Sequence, residues 1–377
     1  MSPLETFFVS VGVITAIATG LAFLVVLAEM TIGHYGRMKI DINNGEKLLD
    51  VEGGQSLLTT LKEEGIFIPS ACGGRGSCGL CTLKVTSGGG DYLPTELAWI
   101  KPESREKGIR LSCQIKVKRD MSIEVPSRLF SIKEFSGQVE YIEDLTHDIK
   151  RVRIRLTEPA DISYKAGQFM QLAVPEYELS SEQVSRAYSM SSAPHETGLV
   201  EFMIRLVPNG ICTTWVHRYL KEGDRVSLTG PFGEFFLQET SREIICIAGG
   251  SGMAPIRSIL ADIEHRAHAQ PEIAARRCRF FFGAVSRRDL FVLDEMRRLE
   301  ASLPAFTFIP ALSAPKPEDA WQGESGLITD VVRKHLGTTG SEVEAYLCGS
   351  PGMIKACISV LNECGIPVDR IYYDSFG

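Results

Sequence analysis

Three cysteines crowd into "SACGGRGSCGLCTLK", at Cys72, Cys78 and Cys81, and a fourth, Cys113, follows in "RLSCQIKV". The spacing C-x5-C-x2-C with one distant thiol restricts the chemistry. Zinc sites usually present two close C-x-x-C-like knuckles, and only one close pair occurs here. A disulfide knot needs an oxidising compartment. The remaining cysteines (Cys212, Cys246, Cys278, Cys348, Cys357 and Cys364) are scattered, mostly in apolar runs, as buried thiols of a reducing compartment are. A [2Fe–2S] cluster needs four thiolates; a long loop supplies three and a neighbouring strand the fourth. Glycines 73, 74, 76 and 79 let the backbone approach the sulfurs and aim N–H groups at them. The first gap is one residue longer than the plant-type spacing. The segment therefore reads as a [2Fe–2S] centre on Cys72, Cys78, Cys81 and Cys113, with zinc as the alternative. Arg75, in the same loop, reads as a solvated side chain or as a docking contact beside the cluster.

Four other stretches carry groups suited to cofactors. In "RAYSMSS", Arg186 and Tyr188 share one face of a strand, a cation suited to a pyrophosphate and a ring suited to stacking on an isoalloxazine; Ser189 follows. In "NGICTTWVH", Gly210, Thr213 and Thr214 open a helix and offer N–H and hydroxyl donors to phosphate. In "AGGSGMAPIRS", Gly249, Gly250 and Gly252 bring backbone close to a ligand, and Pro255 suits a first helical turn. "VSRRDLF" offers Ser286, Arg287 and Arg288 where an adenosine ribose is expected, and arginines there suit a 2′-phosphate. Each stretch alone is weak; their order along one chain is the signal.

The elements that must position these groups fall into three blocks. Residues 38–52 read as a β-hairpin around Asn43-Asn44-Gly45, followed by a short amphipathic helix in "SLLTTLKEEGIFIPS". Residues 135–236 are rich in strand patterns separated by turns, a small antiparallel barrel. From "REIICIAGG" onward, strands and helices alternate as in a doubly wound parallel sheet, which binds ligands beyond the carboxyl ends of its strands. The domain division expected is an anchor and linker at 1–36, an iron–sulfur domain at 37–130, a flavin barrel at 131–238 and a nucleotide domain at 239–377.

From Thr6 to Ala28 the chain carries no charge, and as a helix that run would cross a hydrocarbon core of about 30 Å. No Lys or Arg precedes it, against a signal peptide. Arg37 and Lys39 follow it, which predicts a single-pass inner-membrane anchor with the remaining domains cytoplasmic. The formal net charge of -7 argues against a nucleic-acid partner.

In this order, "RAYSMSS" and "NGICTTWVH" resemble the flavin barrel of the ferredoxin–NADP reductase superfamily. That resemblance implies that Arg186 contacts the FAD pyrophosphate, Tyr188 packs on the flavin and Ser189 hydrogen-bonds near flavin N5. It also implies catalytic-site places for Cys348, a thiol near the nicotinamide in "YLCGSPGM", and for Phe376, a near-terminal aromatic covering the flavin in "YYDSFG"; a buried Cys348 and a frayed tail are the bland alternatives. It favours NADH over NADPH. Hydride carries two electrons and a [2Fe–2S] centre takes one at a time, so a flavin between them makes chemical sense of all three modules.

Over nearly the whole chain, "CGGRGSCGLC", "GGGDYLPTEL", "RLSCQIKVKRDMSIEVP", "GPFGEFF", "GGSGMAPIRS" and "DSFG" resemble the family of F subunits, the NADH dehydrogenase subunits, of sodium-translocating NADH:quinone reductases. The resemblance implies a β-grasp ferredoxin domain, an NADH dehydrogenase activity passing electrons to integral membrane redox subunits, and sodium transport by the whole complex. This chain departs from it between "GQFMQLAVPEY" and "RAYSMSS", where only "ELSSEQVS" stands in place of a longer insertion. The alternatives are the reductase component of a multicomponent oxygenase and a tethered electron carrier with a degenerate reductase half.

Overall fold

The computed structural model describes residues 3–32, 35–70, 72–337 and 342–376. They divide into two compact units, residues 1–131 and 132–377.

The first unit begins with helix α1 (Pro3–Ile32). Its side chains are described at Phe7, Phe8 and 11–24, where they are exposed. Among the described residues no helix is long and apolar enough to cross a membrane; the remaining side chains of the expected Thr6–Ala28 span lie outside them. Next comes the hairpin of β1 (Arg37–Ile42) and β2 (Lys47–Glu52), antiparallel with Arg37 opposite Glu52. Asn43 and Asn44 take positive φ in its turn, as Asn does more readily than other non-glycine residues. Ser56 caps α2 (Leu57–Glu63), its hydroxyl accepting from the Thr59 N–H. The unit is completed by β3 (Thr82–Ser87), the single turns α3 (Pro94–Leu97) and α4 (Pro102–Glu106), β4 (Ile109–Leu111) and β5 (Met121–Glu124). The sheet order is β2-β1-β5-β3-β4, with β1 and β5 parallel in its middle.

The second unit starts with β6 (Lys133–Asp144), β7 (Ile149–Glu158), β8 (Phe169–Val174), β9 (Val184–Ser189), β10 (Leu199–Arg205), α5 (Ile211–Arg218) and β11 (Arg225–Phe232). These strands form an antiparallel sheet in the order β10-β7-β6-β11-β8-β9. It curls until its edges meet, through a bridge between Met190 and Phe202. Inward residues of alternate register, among them Val152, Ile154, Leu172 and Phe202, fill its interior.

A parallel sheet follows: β12 (Glu243–Gly249), α6 (Met253–Ala267), α7 (Pro271–Ala274), β13 (Cys278–Ala284), α8 (Leu293–Ser302), β14 (Phe306–Leu312), β15 (Glu324–Ser325), α9 (Ile328–Leu336), β16 (Val343–Gly349), α10 (Pro351–Glu363) and β17 (Ile371–Ser375). Its order, β15-β14-β13-β12-β16-β17, reverses direction at β12, so a crevice opens beyond Gly249 and Gly349. The run Phe280-Phe281-Phe282 shows why both faces need helices. Phe280 and Phe282 pack with α6 and α8, while Phe281 packs with α9 and α10. Each such ring, fully buried, contributes about 1.5–3 kcal/mol.

Candidate functional site

The cluster loop runs from Ser70 to Cys81 and returns to β4 through Cys113. Its glycines 73, 74, 76 and 79 all hold positive φ, which winds the loop back on itself repeatedly. Two of them are also fixed by their surroundings: a Cβ on Gly76 would stand 2.7 Å from Gln114 Nε2, and one on Gly79 would stand 2.7 Å from the Trp99 ring. Among the described residues no group of three or more His, Cys, Asp or Glu side chains is arranged to hold a single metal ion. The four thiols instead stand as two hydrogen-bonded pairs, Cys72 with Cys78 and Cys81 with Cys113.

Backbone N–H groups converge on these sulfurs, from Arg75 and Ser77 to Cys72, from Gly76 to Cys113 and from Cys113 to Cys81. Sharing a proton with Cys81 pulls Cys113 down to about 6. The same shared proton, then burial, pushes Cys81 well up. Burial opposes ionisation of Cys72, yet the N–H groups hold it down to about 7. Two thiol pairs ringed by N–H donors fit a two-iron cluster, which needs two thiolates per iron and stabilisation of the charge they carry.

The string "GGGDYLPTEL", whose role the sequence alone does not disclose, is tied to β4 and the residues after it. Glu96 and Arg110, both buried, form a two-pronged ion pair, Nε to Oε1 at 2.8 Å and Nη2 to Oε2 at 2.7 Å. The remaining capacity is used on backbone. Arg110 donates to the carbonyls of Gly89, Gly90 and Asp91, and Glu96 accepts from the N–H of Leu93 and Leu111. The Arg110 guanidinium also stacks on Tyr92, 4.1 Å from the ring centre. This buried pair ties α3 to the strand that delivers Cys113.

In the second unit, the flavin-type residues stand on β9 and around it. Arg186 and Tyr188 lie two apart on β9; the Tyr188 ring meets Phe202 edge-on at 6.4 Å. Gly210 caps α5 at a close approach, since a Cβ there would stand 2.6 Å from Thr213 Oγ1. The Thr213 hydroxyl is engaged by Val207 and Gly210, so the donors this turn presents outward are backbone N–H groups. Thr214 is buried.

Ser189 meets a residue that sequence reasoning missed. Its hydroxyl donates to Asp374 Oδ2 at 3.1 Å, across from β9 to β17. Burial raises the Asp374 pKa, with the Ser189 hydrogen bond opposing it. Cys348 is fully buried one strand away, its thiol pushed well above the ordinary range by burial and then by Asp374. Gly252 packs so tightly on it that a Cβ there would collide with the Cys348 carbonyl oxygen. The Phe376 N–H donates to the Gly349 carbonyl at 3.0 Å, which brings the chain's last aromatic to the same crevice. Ser189, Asp374, Cys348, Phe376 and the Gly249–Gly252 turn thus converge. Pro255 lies in the first turn of α6, as expected from sequence.

The turn after β13 is arranged less openly. Ser286 donates both its N–H and its hydroxyl to Asp289, at 2.9 and 2.7 Å. Arg287 lies over Trp321, 5.9 Å from the ring centre, and Arg288 is exposed beside Asp289.

A clamp that the sequence did not disclose joins the segment just after β9, together with β10, to the nucleotide helix α6. Arg257 Nη1 donates to the Ser191 carbonyl at 2.6 Å and to Glu201 at 3.0 Å, and its Nε donates to Glu295 at 2.5 Å. The neighbouring Ser258 hydroxyl donates to the Ser192 carbonyl at 2.7 Å. Glu201 is wholly buried and also meets Arg151 and Arg153. Burial works against its charge, and Arg257, Arg151 and Arg153 together hold its pKa below the usual carboxylate range.

This assembly is that of an NAD(P)H-dependent flavin and iron–sulfur oxidoreductase. Family models agree segment by segment: a 2Fe-2S iron-sulfur cluster binding domain over residues 40–118, an oxidoreductase FAD-binding domain over 136–237 and an oxidoreductase NAD-binding domain over 246–358. Among solved structures, the Amycolatopsis cytochrome P450 reductase GcoB is similar at 27% identity and a TM-score of 0.71, covering 90% of this chain and 98% of that one. The ferredoxin reductase in carbazole 1,9a-dioxygenase is similar at 28% identity and a TM-score of 0.68, covering 91% and 99%.

The F subunit of the Na(+)-translocating NADH-quinone reductase of Neisseria gonorrhoeae is 36% identical over 401 positions, covering 96% of this chain and 97% of its own. That of Mannheimia succiniciproducens is 34% identical over 412 positions, covering 99% of each. The chain belongs to the family of F subunits of Na(+)-translocating NADH-quinone reductases. The aligned positions outnumber this chain's 377 residues, so those relatives carry residues that it lacks.

Proposed function

We propose that the chain is the NADH-oxidising, membrane-tethered subunit of a quinone-reducing respiratory complex that transports sodium, handing electrons to integral membrane redox subunits. When bound, FAD takes a hydride from NADH as a two-electron unit and the [2Fe–2S] cluster carries electrons on singly. The chain's own residues hold and orient. Arg186 and the N–H groups at the start of α5 would hold the FAD phosphates, Tyr188 would pack on the isoalloxazine, and Ser189, held by Asp374, would donate near its reactive nitrogen. Gly249, Gly250 and Gly252 at the start of α6 would take the dinucleotide pyrophosphate, and Ser286 and Arg287 would serve its adenosine end. Phe376 would stand at the nicotinamide place, with the Cys348 thiol fully buried behind it, its pKa pushed well up, so that it supplies no nucleophile. Cys72, Cys78, Cys81 and Cys113 ligate the cluster. The working domain boundaries are 37–130, 131–238 and 239–377.

The observation that carries this reading is the extent of the match. The Mannheimia succiniciproducens relative covers 99% of this chain, so its alignment takes in α1, whereas the oxygenase-type reductases leave about a tenth unmatched. The uncharged run from Thr6 to Ala28 and the exposed apolar side chains described within it support a single-pass anchor, and Arg37 and Lys39 beyond it support cytoplasmic domains. The oxygenase-reductase reading is favoured by the structural likenesses, which cover about nine-tenths of this chain. The two separate in membranes. The full chain is expected to sediment with membranes and sustain NADH-dependent quinone reduction; a chain starting at Arg37 is expected in the supernatant, still reducing ferricyanide with NADH. A full chain that stays soluble and reduces no quinone in its native membranes contradicts the proposal.

A further inference from the structure

Cys113 carries a donor that no backbone group supplies. Gln114 Nε2 lies 3.3 Å from Cys113 Sγ, and Gln114 Oε1 lies 2.7 Å from Thr95 Oγ1. The orientation of the amide follows from its two neighbours. Turned the other way, it would set a carbonyl oxygen against a thiolate, two acceptors face to face. With N–H on the sulfur, the oxygen is left for the Thr95 hydroxyl to donate to.

Thr95 is held for this task. It sits in α3 between Pro94 and Glu96, and the buried Glu96–Arg110 pair fixes that turn to β4, two residues before Cys113. Gly76 completes the arrangement, because a side chain there would strike Gln114 Nε2. Reduction of a cluster adds negative charge, which spreads onto its sulfur ligands. A hydrogen bond to a ligand sulfur stabilises the reduced form more than the oxidised one and raises the potential.

We infer that Gln114, oriented by Thr95, is a positioning residue that raises the reduction potential of the cluster through an N–H···S bond to Cys113. The inference rests on the assignment of the four cysteines to a [2Fe–2S] centre. Its effect falls on the step out of the flavin: a more positive cluster makes one-electron oxidation of the reduced flavin more favourable.

The test is an EPR-monitored redox titration of the full-length, detergent-solubilised holoprotein and three variants. Gln114→Leu removes the donor and is expected to lower the midpoint. Gln114→Glu sets a carboxylate against the thiolate and is expected to lower it further. Thr95→Val leaves Gln114 in place without its orienting partner and is expected to lower it less than either. A Gln114→Leu midpoint equal to that of the parent overturns the inference. Should that variant fail to retain its cluster, a Thr95→Val midpoint equal to the parent's overturns it instead. A parent that shows no reduced [2Fe–2S] signal refutes the cluster assignment itself, an outcome distinct from the other two.

Discussion

At the scale of single residues, the two thiol pairs are not equivalent. Cys72 and Cys78 belong to one wound loop, whereas Cys81 and Cys113 are brought together only when β3 and β4 pair, with Thr82 opposite Leu111. As the proposed fourth ligand, Cys113 would make cluster binding depend on the folded sheet. Replacing Cys113 with Ser is expected to remove the visible absorption and EPR signal of the cluster while NADH still bleaches the flavin, since Cys113 belongs to the first unit. A normal cluster in that variant, read by EPR, means the fourth ligand lies elsewhere. Ser189 and Asp374 illustrate the complementary case. One was legible as part of "RAYSMSS", but its partner lies 185 positions away, and only the folded sheet pairs them.

At the scale of elements, the clamp between the segment just after β9, β10 and α6 sets the flavin-type and nucleotide-type segments against each other. Hydride transfer demands that two ring atoms approach closely, and a misplacement of about 1 Å costs about 100-fold. Ser258→Ala removes one bond of the clamp without touching either cofactor place. It is expected to slow flavin reduction at saturating NADH by about 10-fold or more, with the Kd for NADH within about 2-fold of the parent. Stopped-flow absorbance separates the two quantities; an unchanged rate contradicts a positioning role. Glu201→Gln tests the buried centre of the same clamp and is expected to cost about 3–5 kcal/mol, because it leaves Arg257, Arg151 and Arg153 short of their counter-charge.

The sign of the pH dependence follows from the depressed carboxyl of Glu201. Its stabilisation is present above the ordinary carboxylate range and is lost as pH falls through the lower folded value. Thermal melts across acid pH should show the parent losing more stability than Glu201→Gln over that window. Strand and helix periodicity made the elements themselves readable: the hairpin at Asn43–Gly45, the barrel strands and the βα alternation all stand where the pattern put them. The clamp was not readable. Arg257 and Ser258 follow a glycine-rich turn as ordinary helix residues, and their partners are backbone carbonyls, which no sequence pattern marks.

At the scale of the whole molecule, the motifs in the sequence identified the cofactors better than they identified the walls that hold them. Cysteine spacing and glycine-rich turns report chemistry directly, because thiolates and bare backbone are what the cluster and the pyrophosphate require. "GGGDYLPTEL" was visible as a string, yet the buried Glu96–Arg110 fork that explains it needed three dimensions. The segment "ELSSEQVS" was equally visible; in the fold the bridge between Tyr177 and Ser180 closes a tight turn at its start, and its last two residues open β9.

The central claim is that NADH reduces a [2Fe–2S] cluster through a flavin within this one chain. It is tested most directly by adding NADH anaerobically to the purified full-length holoprotein and following flavin absorbance and low-temperature EPR together. The flavin band is expected to bleach while the signal of a reduced [2Fe–2S] centre grows in the same sample. A bleached flavin beside a cluster that stays EPR-silent, although dithionite reduces it, would contradict that claim.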